Sequence, residues 1–83
     1  MSEEEFDLID ELYFVQSYSY LKETLHWEDE KLLAILQDVV EKDWVKCFFS
    51  PDEEVFEKPD LLKDGRELYY LATKQGLLRH NTL

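Results

Sequence analysis

Residues 27–49, WEDEKLLAILQDVVEKDWVKCFF, constrain the fold more than any other stretch, because a helical pattern passes into a strand-like one with no glycine between them. Leu32, Ile35, Leu36 and Val39 recur at i, i+3, i+4 and i+7, which puts four branched apolar side chains on one helical stripe. Leu33 and Val40 widen the stripe, and Glu28, Asp29, Glu30, Lys31, Gln37, Asp38, Glu41 and Lys42 fill the rest of the circumference. The spacing predicts an amphipathic helix over Trp27–Lys42 with an acidic outer face. Glu28, Asp29 and Glu30 fall in the first turn, where unpaired backbone N–H groups and the helix dipole favour carboxylates. Trp27 is placed to staple onto Leu32. From Trp44 to Phe49 the residues are aromatic, β-branched or small and apolar around a single Lys46, which predicts a strand buried on at least one face.

The flanking segments fit around that unit. Phe6, Ile9, Leu12 and Tyr13 repeat at helical spacing and predict a first helix over roughly residues 4–15. Gln16-Ser17-Tyr18-Ser19 interrupts it, and Ser17 or Ser19 is suited to cap a second, shorter helix carrying Tyr18, Leu21 and Leu25 on its apolar side. Ser50-Pro51-Asp52-Glu53 has the composition of a turn. Val55-Phe56 forms a short apolar island that would give an extra piece of strand. Asp64-Gly65 marks a further turn, and Glu67–Ala72 predicts a second strand. Thr73 can cap a brief terminal helix over Lys74–Leu78, with residues 79–83 expected to fray.

Eighty-three residues suffice for one domain with a single modest core. An apolar content of 45% and twelve aromatic residues argue against disorder despite 35% charged residues. The net charge of −11 repels phosphate backbones and anionic membranes and attracts basic partners. One cysteine forms no internal disulfide, and the acidic start MSEEEFDLIDEL lacks the basic region of a signal peptide, so a cytoplasmic protein is expected. No apolar run approaches the length of a membrane span.

Helix, short helix, longer helix, strand, turn-rich excursion, strand and terminal turn follow in that order. With Tyr18–Leu25 and Trp27–Lys42 as second and third helices, Trp44–Phe49 and Glu67–Ala72 as strands, and the ending Tyr70-Leu71-Ala72-Thr73-Lys74-Gln75-Gly76, the chain resembles a winged helix-turn-helix domain. Thr73 and Gly76 match the spacing with which small PadR- and MarR-like bacterial regulators end their wing. Ala72 is smaller than the usual aliphatic there, and Asp43 stands where a glycine often separates helix from strand. The resemblance implies an α+β fold: three helices, a two- or three-stranded antiparallel β-wing and a short C-terminal helical turn, in one domain with an ordered core over residues 6–78.

It also implies a third helix in the major groove, and there the charge disagrees. Residues 28–43 carry six acids against two lysines, a net of −4, and residues 44–67 carry seven acids against four cations, a net of −3. Phosphate contacts need cations that displace counterions, so nucleic acid is disfavoured as a partner. A DNA-binding regulator using an atypical face is the alternative, and it would need Lys46, Lys58, Lys63, Arg66, Lys74 and Arg79 to cluster.

No motif for catalysis, cofactor or metal binding occurs, and a non-enzymatic protein is expected. His26 lies in a turn, and His80 is far from it in sequence. Cys47 falls within a strand rather than at a helix N-terminus. Glu3-Glu4-Glu5 and Asp52-Glu53-Glu54 lack the spacing of a calcium loop and are expected to be solvated charge. The aromatic surplus remains. Either it covers the second face of a small sheet, or Phe14, Tyr20, Phe48 and Phe56 anchor a protein interface with Glu30 and Asp38 as acidic contacts. A protein-interaction module with a basic partner follows from that second choice. A homodimer through the first helix would also bury the rings, against repulsion between two acidic protomers.

Overall fold

The computed structural model describes residues 1–82, which form five short helices and one four-stranded antiparallel sheet, an α+β arrangement. Helix α1 spans Glu3–Asp10 and opens with a capping box: the Glu5 amide donates to Ser2 Oγ at 3.1 Å, and the Ser2 amide donates to Glu5 Oε1 at 2.8 Å. It ends five residues earlier than its apolar spacing predicts. The amides of Glu11 and Leu12 tighten onto the carbonyls of Leu8 and Ile9, and the Leu12 carbonyl then accepts from the Ala72 amide at 2.9 Å. Leu12 is thereby a buried anchor to the sheet rather than a helical residue, and Tyr13 and Phe14 are turned outward.

Gln16–Ser17 forms a two-residue strand, β1, where sequence alone indicated only a break. Ser17 then caps α2 (Tyr18–Leu25) by accepting from the Tyr20 amide at 3.1 Å. His26 closes that helix in the left-handed region, with φ 58°. Helix α3 spans Asp29–Glu41 and buries Leu32, Leu33, Leu36, Val39 and Val40, while Ile35 is half-buried, so the stripe is rotated toward Leu33 relative to the expected one. Fully burying each such leucine contributes about 1.5–3 kcal/mol.

The exit from α3 needs no glycine because Asp43 itself adopts φ 62°. The Trp44 amide donates to Val39 O at 2.9 Å and the Asp43 amide to Val40 O at 3.0 Å, a Schellman closure with aspartate at the left-handed position. Strand β2 (Val45–Ser50) starts immediately beyond. It pairs with β3 (Glu53–Val55) on one side and β4 (Tyr69–Ala72) on the other, and the sheet order is β1-β4-β2-β3. Val45↔Ala72 and Cys47↔Tyr70 register the core-facing side, and Lys46↔Leu71 and Phe48↔Tyr69 the opposite side.

The excursion between β3 and β4 is ordered by α4 (Leu61–Asp64) and a 3-10 turn over Gly65–Glu67, neither anticipated from the sequence. Asp60 caps α4, and Gln37 of α3 grips the entry with both ends of its amide: Oε1 accepts from the Leu61 amide at 2.9 Å, and Nε2 donates to Pro59 O at 3.2 Å. Leu61 is fully buried, and the core hydroxyl of Tyr70 donates to Gly65 O.

Helix α5 (Lys74–His80) is capped by Thr73, whose Oγ1 accepts from the Gly76 amide at 3.0 Å and donates to Asp43 O at 2.6 Å. The Thr73 amide donates to Trp44 O at 2.9 Å. Gly76 lies directly on that clasp: a Cβ there would collide with Trp44 O and sit 2.9 Å from Trp44 C and 3.1 Å from its Cα. Gly76→Ala should therefore destabilise the domain by about 2 kcal/mol in urea unfolding, as overpacking against backbone does, although Gly→Ala within an exposed helix normally gains about 1 kcal/mol.

Candidate functional site

The six residues singled out as partner contacts occupy different elements. Phe14 lies between α1 and β1, Tyr20 on α2, Glu30 and Asp38 on α3, Phe48 on β2, and Phe56 just beyond β3. Among the described residues no hydrogen bond or ion pair joins any two of them. Phe14 and Phe56 are exposed, at 78% and 87%, and Glu30 is exposed on α3. Tyr20 is partly exposed, with its hydroxyl donating to Glu11 Oε1 at 2.9 Å, and Asp38 is ion-paired to Lys42 at 2.9 Å.

Phe48 requires correction. It is only 8% exposed, lying opposite Tyr69 with Lys46 Nζ 5.7 Å from its ring centroid, and the ring presented outward by this strand is Phe49, at 58%. Strand alternation puts Phe48 and Phe49 on opposite sides of the sheet, but sequence alone does not say which of the two is covered.

Electrostatic pairing uses up most of the positive charge. Of nine lysines and arginines, six are held by carboxylates. Lys22 and Arg66 both reach Asp29, at 3.4 and 3.8 Å, and Lys31 meets Glu4 at 2.7 Å. Lys42 bridges Glu5 and Asp38, Lys46 meets Glu54 at 3.6 Å, and Lys58 meets Asp43 at 3.4 Å. Lys63, Lys74 and Arg79 have no ion pair among the described residues, and Arg79 lies 5.8 Å from the Trp44 ring centroid. Three of the cations whose clustering would have suited DNA, Lys46, Lys58 and Arg66, are each drawn to a carboxylate on a different element.

Glu5 is the second correction, because it is not solvated charge. It is 6% exposed, and Lys42 Nζ donates to its Oε2 at 2.6 Å. Burial works to raise the carboxyl, but the hydrogen bonds from Lys42, which Asp38 shares, and from the Ser2 amide outweigh it and hold the group at about 2. The same bond to Glu5 raises Lys42. On the other flank of α3, the buried Tyr18 hydroxyl donates to Asp29 Oδ1 at 2.6 Å, and burial followed by that bond pushes Tyr18 up to about 12.

His80 also departs from expectation: α5 continues past Leu78 and buries it. Its ring stacks on Phe6 with centroids 4.0 Å apart, Nδ1 lies 2.9 Å from the Tyr13 hydroxyl, and Nε2 faces Asp10 Oδ1 at 3.3 Å without hydrogen-bond geometry. The available signal was the i, i+4 spacing of Gly76 and His80, both buried on one side of α5. His26 is exposed at the end of α2 and Cys47 is buried in β2, so they sit on separate elements. No cluster of three or more potential metal ligands occurs among the described residues, and no helix among them is long and apolar enough to cross a membrane.

An open concavity lies beside Phe49. Phe49, Val55, Pro59 and Leu68 give it apolar walls, Asp64 and Glu67 give it carboxylates, and its volume is about 390 Å³. The site is not legible in the sequence because α4 and the 3-10 turn, which build one wall, leave no clear periodic signal.

No protein-family model matches the chain, and neither does any curated protein or solved structure.

Glu5 has a folded value below its unfolded 4.5, so its contribution is present above pH 4.5 and is lost as pH falls toward about 2. Urea titrations across that window should show declining stability. At neutral pH Lys42→Met should cost about 1–3 kcal/mol, whereas Lys31→Met, at an exposed pair, should cost about 0.5 kcal/mol or less. Burial pushes the Cys47 thiol up to about 12, so a disulfide reagent at neutral pH should label the folded protein about a hundredfold or more slowly than the denatured chain.

Proposed function

We propose that the chain is a non-catalytic protein-interaction module, an adaptor or regulator acting in the cytoplasm on a winged-helix-like scaffold, and that its partner presents a basic surface. The observation that carries this proposal is the distribution of charge: six of nine cations are already paired to the protein's own carboxylates, while Phe14, Phe49, Phe56 and Leu62 stay exposed. Exposed rings on a strongly acidic surface suit an interface with a complementary cationic surface. The scaffold assignment draws support from the order helix, short strand, two helices, then antiparallel strands, with β1 beside β4.

Binding of DNA through α3 would place Glu28, Glu30, Asp38 and Glu41 against phosphates. It would also require lysines to leave carboxylates before releasing any counterion from the duplex. Fluorescence anisotropy of mixed-sequence duplex DNA, titrated with the protein at low and at physiological salt, should show no binding at either. Binding at low salt that falls steeply with added salt would overturn the proposal in favour of a DNA-binding regulator. In parallel, crosslinked affinity capture should recover a basic protein partner, and recovery of none would count against the module.

A further inference from the structure

We infer that the groove between Phe49 and the α4 turn is a docking site for a basic peptide segment of a partner protein, one that places a large apolar side chain against Phe49 and Leu68 and a lysine or arginine against Asp64 and Glu67. This rests on the interaction-module proposal and adds to it a place and a ligand chemistry.

The first support is a register shift. Cys47 pairs with Val55 and Phe48 with Glu54, but the next pair is Ser50 with Glu53, so Phe49 opposes no residue of β3. Bulges of this kind bend a strand and re-aim a side chain. The shift turns a large ring outward at the rim of a concavity, where desolvating it against a partner is favourable. The second support is the volume of about 390 Å³, within the range of roughly 300–1,000 Å³ typical of small-ligand sites. Its walls are already ordered: Val55 is in the ladder with Cys47, Pro59 O is held by Gln37, and the Leu68 amide bonds Gly65 O at 3.4 Å.

Charge selects the occupant. The lining contains two carboxylates and no cation, and among the described residues neither Asp64 nor Glu67 forms an ion pair or a side-chain hydrogen bond. Arg66, which lies between them in sequence, is drawn instead to Asp29 Oδ2 at 3.8 Å. A guanidinium or ammonium group placed there would gain two partners without displacing an internal one, and Phe49 offers it a ring face as well. A second copy of this chain is the less suitable occupant, because each carries a net charge of −11. Phe49 of β2, Val55 of β3 and Leu68 before β4 line the groove, so it runs across neighbouring strands, and a peptide segment laid over them can reach the Phe49 ring and both carboxylates.

The test is selection of a phage-displayed library of random peptides on the immobilised full chain. Enriched sequences are then synthesised with a fluorophore, and their affinities measured by anisotropy. Enriched peptides should pair a large apolar residue with lysine or arginine within three positions. Their affinity should fall about tenfold or more for Phe49→Ser and for the double variant Asp64→Lys, Glu67→Lys. It should hold for Phe14→Ser, which removes an exposed ring elsewhere, with circular dichroism checking that every variant folds. Peptides that bind both groove variants unchanged would overturn this site while leaving the interaction module standing on another surface. A library yielding no binders, or binders without basic residues, would overturn the site, and the module would then rest on the capture experiment alone. Self-association in sedimentation equilibrium that Phe49→Ser abolishes would make a second copy the occupant and overturn the peptide.

Discussion

Two carbonyl groups at the end of α3 and one threonine hold the domain together. Asp43 O and Trp44 O both end on Thr73, one on its hydroxyl and the other on its amide, and the same hydroxyl caps α5. That junction fixes where the long helix stops, where β2 starts, how β4 is aligned beside it and how α5 leaves the sheet. It is possible only because Asp43 accepts a left-handed backbone and because position 76 has no side chain. Each of these local choices is modest, but they share one few-ångström region, so a change at any of them displaces three elements together.

Charge has an internal use as well as an external one. Glu4 and Glu5 tie α1 to α3 through Lys31 and Lys42, and Lys58 ties the segment after β3 to the α3 exit, where it meets both Asp43 and the Glu41 carbonyl. The exposed pairs contribute little each, and the Glu5 pair contributes more because its carboxylate is out of water. What the protein shows to its surroundings is the remainder: acids without internal partners and rings without cover.

The long helix, its acidic face, both major strands and the cap at Thr73 were legible from periodicity and residue type, and the cap of α2 was narrowed to Ser17 or Ser19, of which Ser17 serves. The first helix was overextended, because Leu12 keeps helical spacing while its carbonyl is claimed by Ala72 sixty residues away, a tertiary bond that no local pattern encodes. Two-residue β1 is too short to show alternation, and four-residue α4 too short to show a helical stripe. Their residues are ordered by Tyr69, Tyr70 and Gln37 rather than by themselves. The burial of Glu5 and His80 was hidden for a similar reason: each is covered by an element far off in sequence. The groove, built by a bulge and by α4, inherited both blind spots.

The pairing of β1 with β4 bears on how the chain acquires its structure. Gln16 meets Tyr70, Leu12 meets Ala72 and Tyr13 meets His80, so the segment between α1 and α2 is anchored to residues 70–80, while α1 and α2 themselves are also tied to α3. Contacts of that separation must close a large loop before they return any free energy, which slows folding relative to a locally connected helical bundle of equal size. During synthesis, α1 and α2 must emerge long before the strand that covers them exists. Until β4 has been made, they have no completed sheet to pack against.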